Sequence, residues 1–296
     1  MKRIFLFLVT NIAVLLALGV VANLLCALLG TSMAELVGPQ WGELAIYALV
    51  YGMFGSVLSL LMSKQMAKMS CRAKTIDGTE GEAERWLVQT VEDLARRANL
   101  KTPEVAIYPG AANAFATGAF RNSALVAVST DIMGQMSKEE LRAVLGHEMS
   151  HVANGDMVTL TLVQGVLNAF VIFFSRVIAG MLAGGGNRRR SGGAMYFAVV
   201  AVLQVSLGLL ASLVVYAYSR RREYAADAGS AKLLGSPSSM IAALRRLGNL
   251  RPGVLPDSLK AMGIAEGKRR TSLWATHPSL DDRIEALQKL EVTSFV

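Results

Sequence analysis

Apolar residues in this chain gather into four long runs, and between and after them the patterning is shorter and mixed. Residues 4–29 are apolar but for Thr10, Asn11 and Asn23, and residues 44–62, 157–183 and 194–218 repeat the signal. Each is near or above the roughly 20 residues that carry a helix across a bilayer, so each is read as a membrane-spanning helix. Residues 63–156 behave differently. Trp86, Leu87, Val91, Leu94 and Ala95 recur at helical spacing within 80–98, which predicts an amphipathic helix. Residues 104–108 and 124–129 are β-rich, and 113–120, punctuated by Gly118, is a candidate edge strand. Ser137-Lys138-Glu139-Glu140 is a capping box that starts another helix, and Asn154-Gly155 is its left-handed stop. The fold class that follows is an α+β membrane protein, mostly helical, with four transmembrane helices and a small sheet. Its segments are 1–63 (two helices), 64–156 (a folded part), 157–218 (a helical hairpin) and 219–296 (a second folded part).

Composition and charge set the orientation. The chain is 53% hydrophobic and only 18% charged, too apolar for an ordinary soluble domain. A cleaved signal peptide is the alternative for 4–29, because Met1-Lys2-Arg3 is a charged start, but the apolar stretch is too long and lacks an A-x-A-like site. Cys26 hints at lipoprotein processing, against which stands Leu25 where a small residue belongs. Lys2 and Arg3 precede the first run, Lys64, Lys68, Arg72 and Lys74 follow the second, and 30–43 between them has no Lys or Arg. By the positive-inside rule both flanks, and with them the bulk of the hydrophilic chain, are cytoplasmic. Two cysteines provide no disulfide framework, in keeping with that compartment. The net charge of +8 is largely juxtamembrane and lacks a stacking-aromatic pattern, so its partner is anionic lipid and not nucleic acid. The last two runs are less tidy. Arg188, Arg189 and Arg190 in their connecting loop fall outside if both runs cross, and Gln164, Asn168 and Arg176 burden the third. An intramembrane Arg costs roughly 2.5–3.5 kcal/mol. Two full crossings are favoured; a hairpin that only dips into the bilayer is the alternative.

The chemistry is concentrated in His147-Glu148-Met149-Ser150-His151. HExxH on a helix puts two imidazoles one turn apart on one face, within reach of a single tetrahedral ion, with a carboxylate beside the open position. A catalytic site needs a third protein ligand. Glu223 is the best candidate on ligand count, and Asp227 four residues on shares its helical face, placed to accept the free N–H of a ligating His. The plain alternative is that Glu223 pairs with Arg220, Arg221 or Arg222. His151 lies six residues before the third run and Glu223 five after the fourth. At 1.5 Å per residue that holds the site within roughly 10 Å of the bilayer surface.

Together, the HExxH segment, Asn154-Gly155-Asp156-Met157, an apolar hairpin, Arg222-Glu223-Tyr224-Ala225-Ala226-Asp227 and Thr276-His277-Pro278 resemble the HtpX-type membrane zinc metalloproteases. The resemblance extends to the two N-terminal runs and to Asn113-Ala114-Phe115-Ala116-Thr117-Gly118, nearly the whole chain. It implies a gluzincin-like catalytic domain holding one zinc ion on His147, His151 and Glu223, with Glu148 as general base and Asp227 as the group orienting a ligand. It further implies that Asn113 and Ala114 lie on the edge strand that pairs with substrate backbone, and that His277 donates to the tetrahedral intermediate. The activity implied is endopeptidase cleavage of membrane proteins or unfolded polypeptides for quality control, on the cytoplasmic side of the bacterial inner membrane. His277 has a second reading, a turn before a helix capped by Ser279. Two other classes fit less well. An intramembrane protease carries HExxH within an apolar helix, whereas here Lys138, Glu139, Glu140 and Arg142 precede it. A metal transporter needs ligands repeated along its spans, which offer only Gln164, Asn168, Arg176 and Gln204.

Overall fold

In the computed structural model, residues 41–182, 193–250 and 275–293 are described, with isolated positions between 19 and 32. The first expected span, 4–29, lies outside the described residues except at a few of those positions, and the arginine-bearing loop lies outside them up to Gly193. The chain divides into two units. One runs to Ser59 and includes Thr161–Val215; the other comprises Leu60–Leu160 and the chain from Tyr216 on.

Among the described residues three helices are long and apolar enough to cross a membrane: α1 (Trp41–Cys71) and, later in the chain, Asp156–Leu182, which matches the apolar stretch seen in sequence, and Gly193–Leu234, which runs on well past its own. In the first unit α1 meets the Asp156–Leu182 helix through small residues. A Cβ added at Gly52 would stand 2.5 Å from the Ala169 amide nitrogen, so Gly at 52 is what lets the backbones approach. Ala48, Leu49, Met53, Phe173 and Val177 fill the surrounding core. Polar residues that burden the third run have partners here. Gln164 donates to Asn168, Asn168 donates to Ser56, and Arg176 donates to the Ile172 carbonyl and lies over the Tyr47 ring. Arg176 is 20 residues beyond Asp156, about 30 Å along the helix, the hydrocarbon thickness of a bilayer.

The second unit is a layered α+β body. Its four-stranded sheet has the order β1 (Lys74–Ile76), β2 (Glu104–Tyr108), β4 (Leu125–Ser129), β3 (Ala114–Thr117), with β2 and β4 parallel and the outer pairs antiparallel. β4 is buried at every position, as its unbroken apolar run requires of a strand covered on both faces. β3 is one of the two edge strands, with β1 the other, and is shorter than the 113–120 expected. Against the sheet pack α2 (Glu82–Arg97), the short α3 (Thr130–Gln135) and α4 (Lys138–Asn154), with Leu87, Val91, Leu94, Val126, Val144, Leu145 and Met149 in one core. The capping box at α4 is complete: Glu140 N–H donates to Ser137 Oγ and Ser137 N–H to Glu140 Oε2. Gly155, at φ 71°, ends α4, and α5 (Asp156–Leu182) restarts at once. α6 (Gly193–Leu234) carries the fourth run and the acidic motif on one uninterrupted helix; α7 (Ser238–Asn249) and α8 (Leu280–Thr293) complete the unit.

Lys64 and Lys68, towards the end of α1, both pair with Glu104, at 2.6 and 2.5 Å, and Lys74 begins β1. Arg222 is 5% exposed and donates to the Asp156 carbonyl at 2.9 Å.

Candidate metal centre

The two helices that carry the chemistry can approach because they meet through residues with almost no side chain. A Cβ at Gly229 of α6 would lie 2.5 Å from Ser150 Oγ, and one at Gly146 of α4 would lie 2.8 Å from Ser230 Oγ. Both serines satisfy their hydroxyls locally, Ser150 on the Gly146 carbonyl and Ser230 on the Ala143 carbonyl, so this tight contact leaves no polar group stranded. The reciprocal Gly–Ser contact brings the His147–His151 face of α4 against the Glu223–Asp227 face of α6.

The donors then converge. His147 Nε2 and His151 Nε2 are 3.1 Å apart, and Glu223 Oε2 and Oε1 stand 3.5 Å and 3.4 Å from them respectively. Ligands held about 2.0–2.1 Å from one tetrahedral ion lie roughly 3.3 Å from each other, so the three groups fit a single cation. Tautomers point the same way. Nδ1 of His147 is 2.8 Å from Asp227 Oδ1 and Nδ1 of His151 is 2.6 Å from Asp156 Oδ2. With each Nδ1–H donated to a carboxylate, both Nε2 atoms present lone pairs to one another, an arrangement that needs a cation or a proton between them. These three residues are also where the described side chains can hold a metal, their ligand atoms all within 4.8 Å.

Each of the two carboxylates is in turn held by an arginine. Arg283 of α8, fully buried, grips Asp227 with two nitrogens at 2.7 and 2.8 Å and reaches Glu223 at 3.4 Å. Arg222 bonds the Asp156 carbonyl and lies 3.9 Å from its carboxylate. A buried pair such as Arg283–Asp227 persists because both charges are satisfied; removing one partner costs about 3–5 kcal/mol. Burial alone would push the His147 imidazole down, but Asp227 and Glu223 override it and the group titrates above its ordinary range. In His151 Asp156 and Glu223 likewise overcome burial and push it up to about 9. Glu148 is 1% exposed, and burial raises its carboxyl, opposed by both imidazoles and by the Ala116 backbone of β3. A buried carboxylate held above its ordinary range thus stands beside the two imidazoles of a cluster that could hold a metal ion.

Residues 82–291 match the profile of peptidase family M48. The chain belongs to peptidase family M48. Across 98% of its length this M48 peptidase is 55% identical to a protease HtpX homolog of Neisseria meningitidis serogroup C and 50% identical to one of Janthinobacterium sp., covering 100% of each. Both identify it as an HtpX-type metalloprotease. Among solved structures it is similar to the crystal structure of S. mikatae Ste24p, with a TM-score of 0.54 and 19% identity, covering 82% of this chain and 56% of that one. At that identity the likeness speaks to the fold alone, and the M48 chain spans just over half of Ste24p. Its long apolar helices make it a multi-pass membrane protein.

Of the residues singled out in sequence, His147, Glu148, His151, Glu223, Asp227 and His277 of this M48 chain come together, all buried. His277 Nδ1 is 2.9 Å from Glu223 Oε2, off the line of a hydrogen bond, and Ser279 does cap α8, its Oγ accepting from Asp282 N–H. The turn and the approach to the site are thus the same feature. Asn113 lies one residue before β3. Its main chain is bound to Ser129 at both polar groups, and its Oδ1 accepts the Ala114 N–H. Sequence reasoning missed Asp156, Arg222 and Arg283. Asp156 carried a signal, since an acid five residues after the motif's second histidine, just past the helix stop, is a natural partner for its ring; Arg283, 56 residues from Asp227, carried none.

Proposed function

We propose that this M48 peptidase is a zinc-dependent endopeptidase with His147, His151 and Glu223 as ligands and Glu148 as general base. The observation that carries the reading is the convergence of three donor groups at tetrahedral spacing with a buried glutamate beside them. The catalytic domain is gluzincin-like and assembled from 64–156 and 219–296, while 1–63 and 157–218 supply four transmembrane helices. Bound at that site, Zn2+ polarises the scissile carbonyl and lowers the pKa of a water toward neutrality. Glu148 takes the proton of the attacking water and delivers it to the departing amine. Asp227 and Asp156 accept the two Nδ1 protons and so keep both Nε2 lone pairs facing inward. His277, beside Glu223, donates to the negative charge that develops on the carbonyl oxygen, and Arg283 neutralises the Asp227 and Glu223 carboxylates. Asn113 and Ala114 open the edge strand along which substrate backbone is laid.

The substrates are membrane proteins and unfolded polypeptides, cut for quality control at the cytoplasmic face of the bacterial inner membrane. The distribution of Lys and Arg in the sequence supports that orientation. Glu148→Gln tests the chemistry. The variant is expected to keep one zinc per chain while kcat/KM on a membrane-protein substrate falls by a factor of about 10²–10⁴. Turnover at the wild-type rate contradicts the assignment.

A further inference from the structure

The turn between β3 and β4, residues 118–123, takes no part in the chemistry above, yet it is bracketed by the ends of two membrane-crossing helices. On one side the Ala124 carbonyl accepts the Glu104 N–H at 3.0 Å, and the Glu104 carboxylate is held by Lys64 at 2.6 Å. Lys64 is the second residue past the apolar run of α1, which ends at Met62. On the other side Phe120 and Arg121 line a narrow gap shared with Met157 and Val158, the first apolar residues of α5. Both neighbours are thus helix segments standing at the passage from water to hydrocarbon.

The turn is fixed from within. Gly118 takes φ 140°, where a Cβ would also stand 2.8 Å from the Ser123 carbonyl oxygen, and Ser123 N–H donates to the Phe120 carbonyl at 3.0 Å, which leaves Arg121 and Asn122 at the corner. Phe120 is 62% exposed, and among the described residues of the second unit it is the one exposed large apolar side chain outside a helix. A lone exposed ring is ordinary on a soluble surface. Beside the end of a membrane helix it stands where aromatic rings enter the interface. Arg121 follows directly, its Nε shielded from water and without a partner among the described residues, and 118–123 contains no Asp or Glu to repel an anionic surface. We propose that this turn docks on the bilayer, the Phe120 ring entering the interface and the Arg121 guanidinium binding the phosphate of an anionic lipid. A ring at the tip of a turn can leave water while the polar backbone around it stays hydrated, and a guanidinium meets phosphate oxygens with paired N–H donors. The contact does not depend on the peptidase reading.

A nitroxide reports the contact directly. The full chain, its two cysteines replaced by alanine, is labelled through Asn122→Cys at the corner of the turn, or through Glu139→Cys in the first turn of α4, at the opposite end of that helix from His151. Each is placed in nanodiscs of phosphatidylcholine alone or of an equal mixture with phosphatidylglycerol. Relaxation by oxygen, which concentrates in lipid, is compared with relaxation by a water-soluble nickel chelate. The label at 122 is expected to favour oxygen and the label at 139 the chelate. Phe120→Ser is expected to return the label at 122 to the chelate-accessible state in both lipids. Arg121→Gln is expected to weaken docking in the mixed discs about fivefold, the contribution of one Arg near an anionic surface, and less in phosphatidylcholine alone. An unchanged spectrum at 139 shows that each variant keeps its fold. A label at 122 as open to the chelate as the one at 139 overturns the contact, and so does one shielded from both reagents, which means that polypeptide covers the turn. An oxygen preference that survives Phe120→Ser overturns ring insertion, and one that Arg121→Gln leaves unchanged in the mixed discs overturns the headgroup contact.

Discussion

Asp156 shows how much one side chain can decide here. It is the first residue of α5, yet its carboxylate fixes the ring of His151 at 2.6 Å, as Asp227 fixes His147 at 2.8 Å, so the two imidazoles have matching supports from different helices. Removing such a support leaves the ligand in place but frees its ring and tautomer, which commonly weakens metal binding 10–100-fold. Asp156→Ala is therefore expected to lower zinc affinity by about one to two orders of magnitude, with Asp156→Asn, which keeps an acceptor, losing less. Competition with a chromophoric chelator measures both. Equal affinity in all three proteins would show that the Asp156 contact does not position the ligand. At this scale the sequence was most legible where spacing alone carries chemistry. His147, His151, Glu223 and Asp227 stand out because i to i+4 repeats put them on shared faces. Arg222 does not, since a basic residue near a membrane flank reads first as solvated, and Arg283 does not, since it is far along the chain from the group it holds.

The elements were mostly legible too, for a plain reason: helices α2 and α4 and strands β2 and β4 are written in periodic apolar positions and caps, which are local. Edges and contacts were not. β1 is three residues long, and α7 follows no capping box, so neither announces itself. The decisive contact between α4 and α6 is made of Gly146, Ser150, Gly229 and Ser230, whose signal is the absence of side chains. Substituting Gly229 with Val places branched carbon where Ser150 Cβ already lies within 2.8 Å, so α6 must move off α4 and take Glu223 with it. Gly229→Val is expected to bind zinc markedly more weakly than wild type while its helical content, read by circular dichroism, is preserved. Unchanged affinity would mean that the helix crossing does not set the ligand geometry.

For the whole molecule, one fact of continuity matters: α6 runs without a break from its apolar run into Glu223 and Asp227, and α5 begins within five residues of His151. A site built on the ends of membrane-crossing helices is expected to favour bonds that are themselves tethered near the bilayer. The same unfolded segment offered in nanodiscs on a membrane anchor should be cleaved faster than when free in solution, and equal rates would count against that preference. The three spans among the described residues follow from composition and length and were legible, whereas the ring over which Arg176 lies inside one of them, Tyr47, belongs to a neighbouring helix that no local pattern reveals. The central claim is that one ion is held jointly by α4 and α6. Its most direct test is an anomalous difference map at the zinc edge on crystals of the full chain. The account expects a single peak per chain, about 2.0–2.2 Å from His147 Nε2, His151 Nε2 and a Glu223 oxygen. A peak elsewhere, or one with the Glu223 carboxylate turned away from it, contradicts the account.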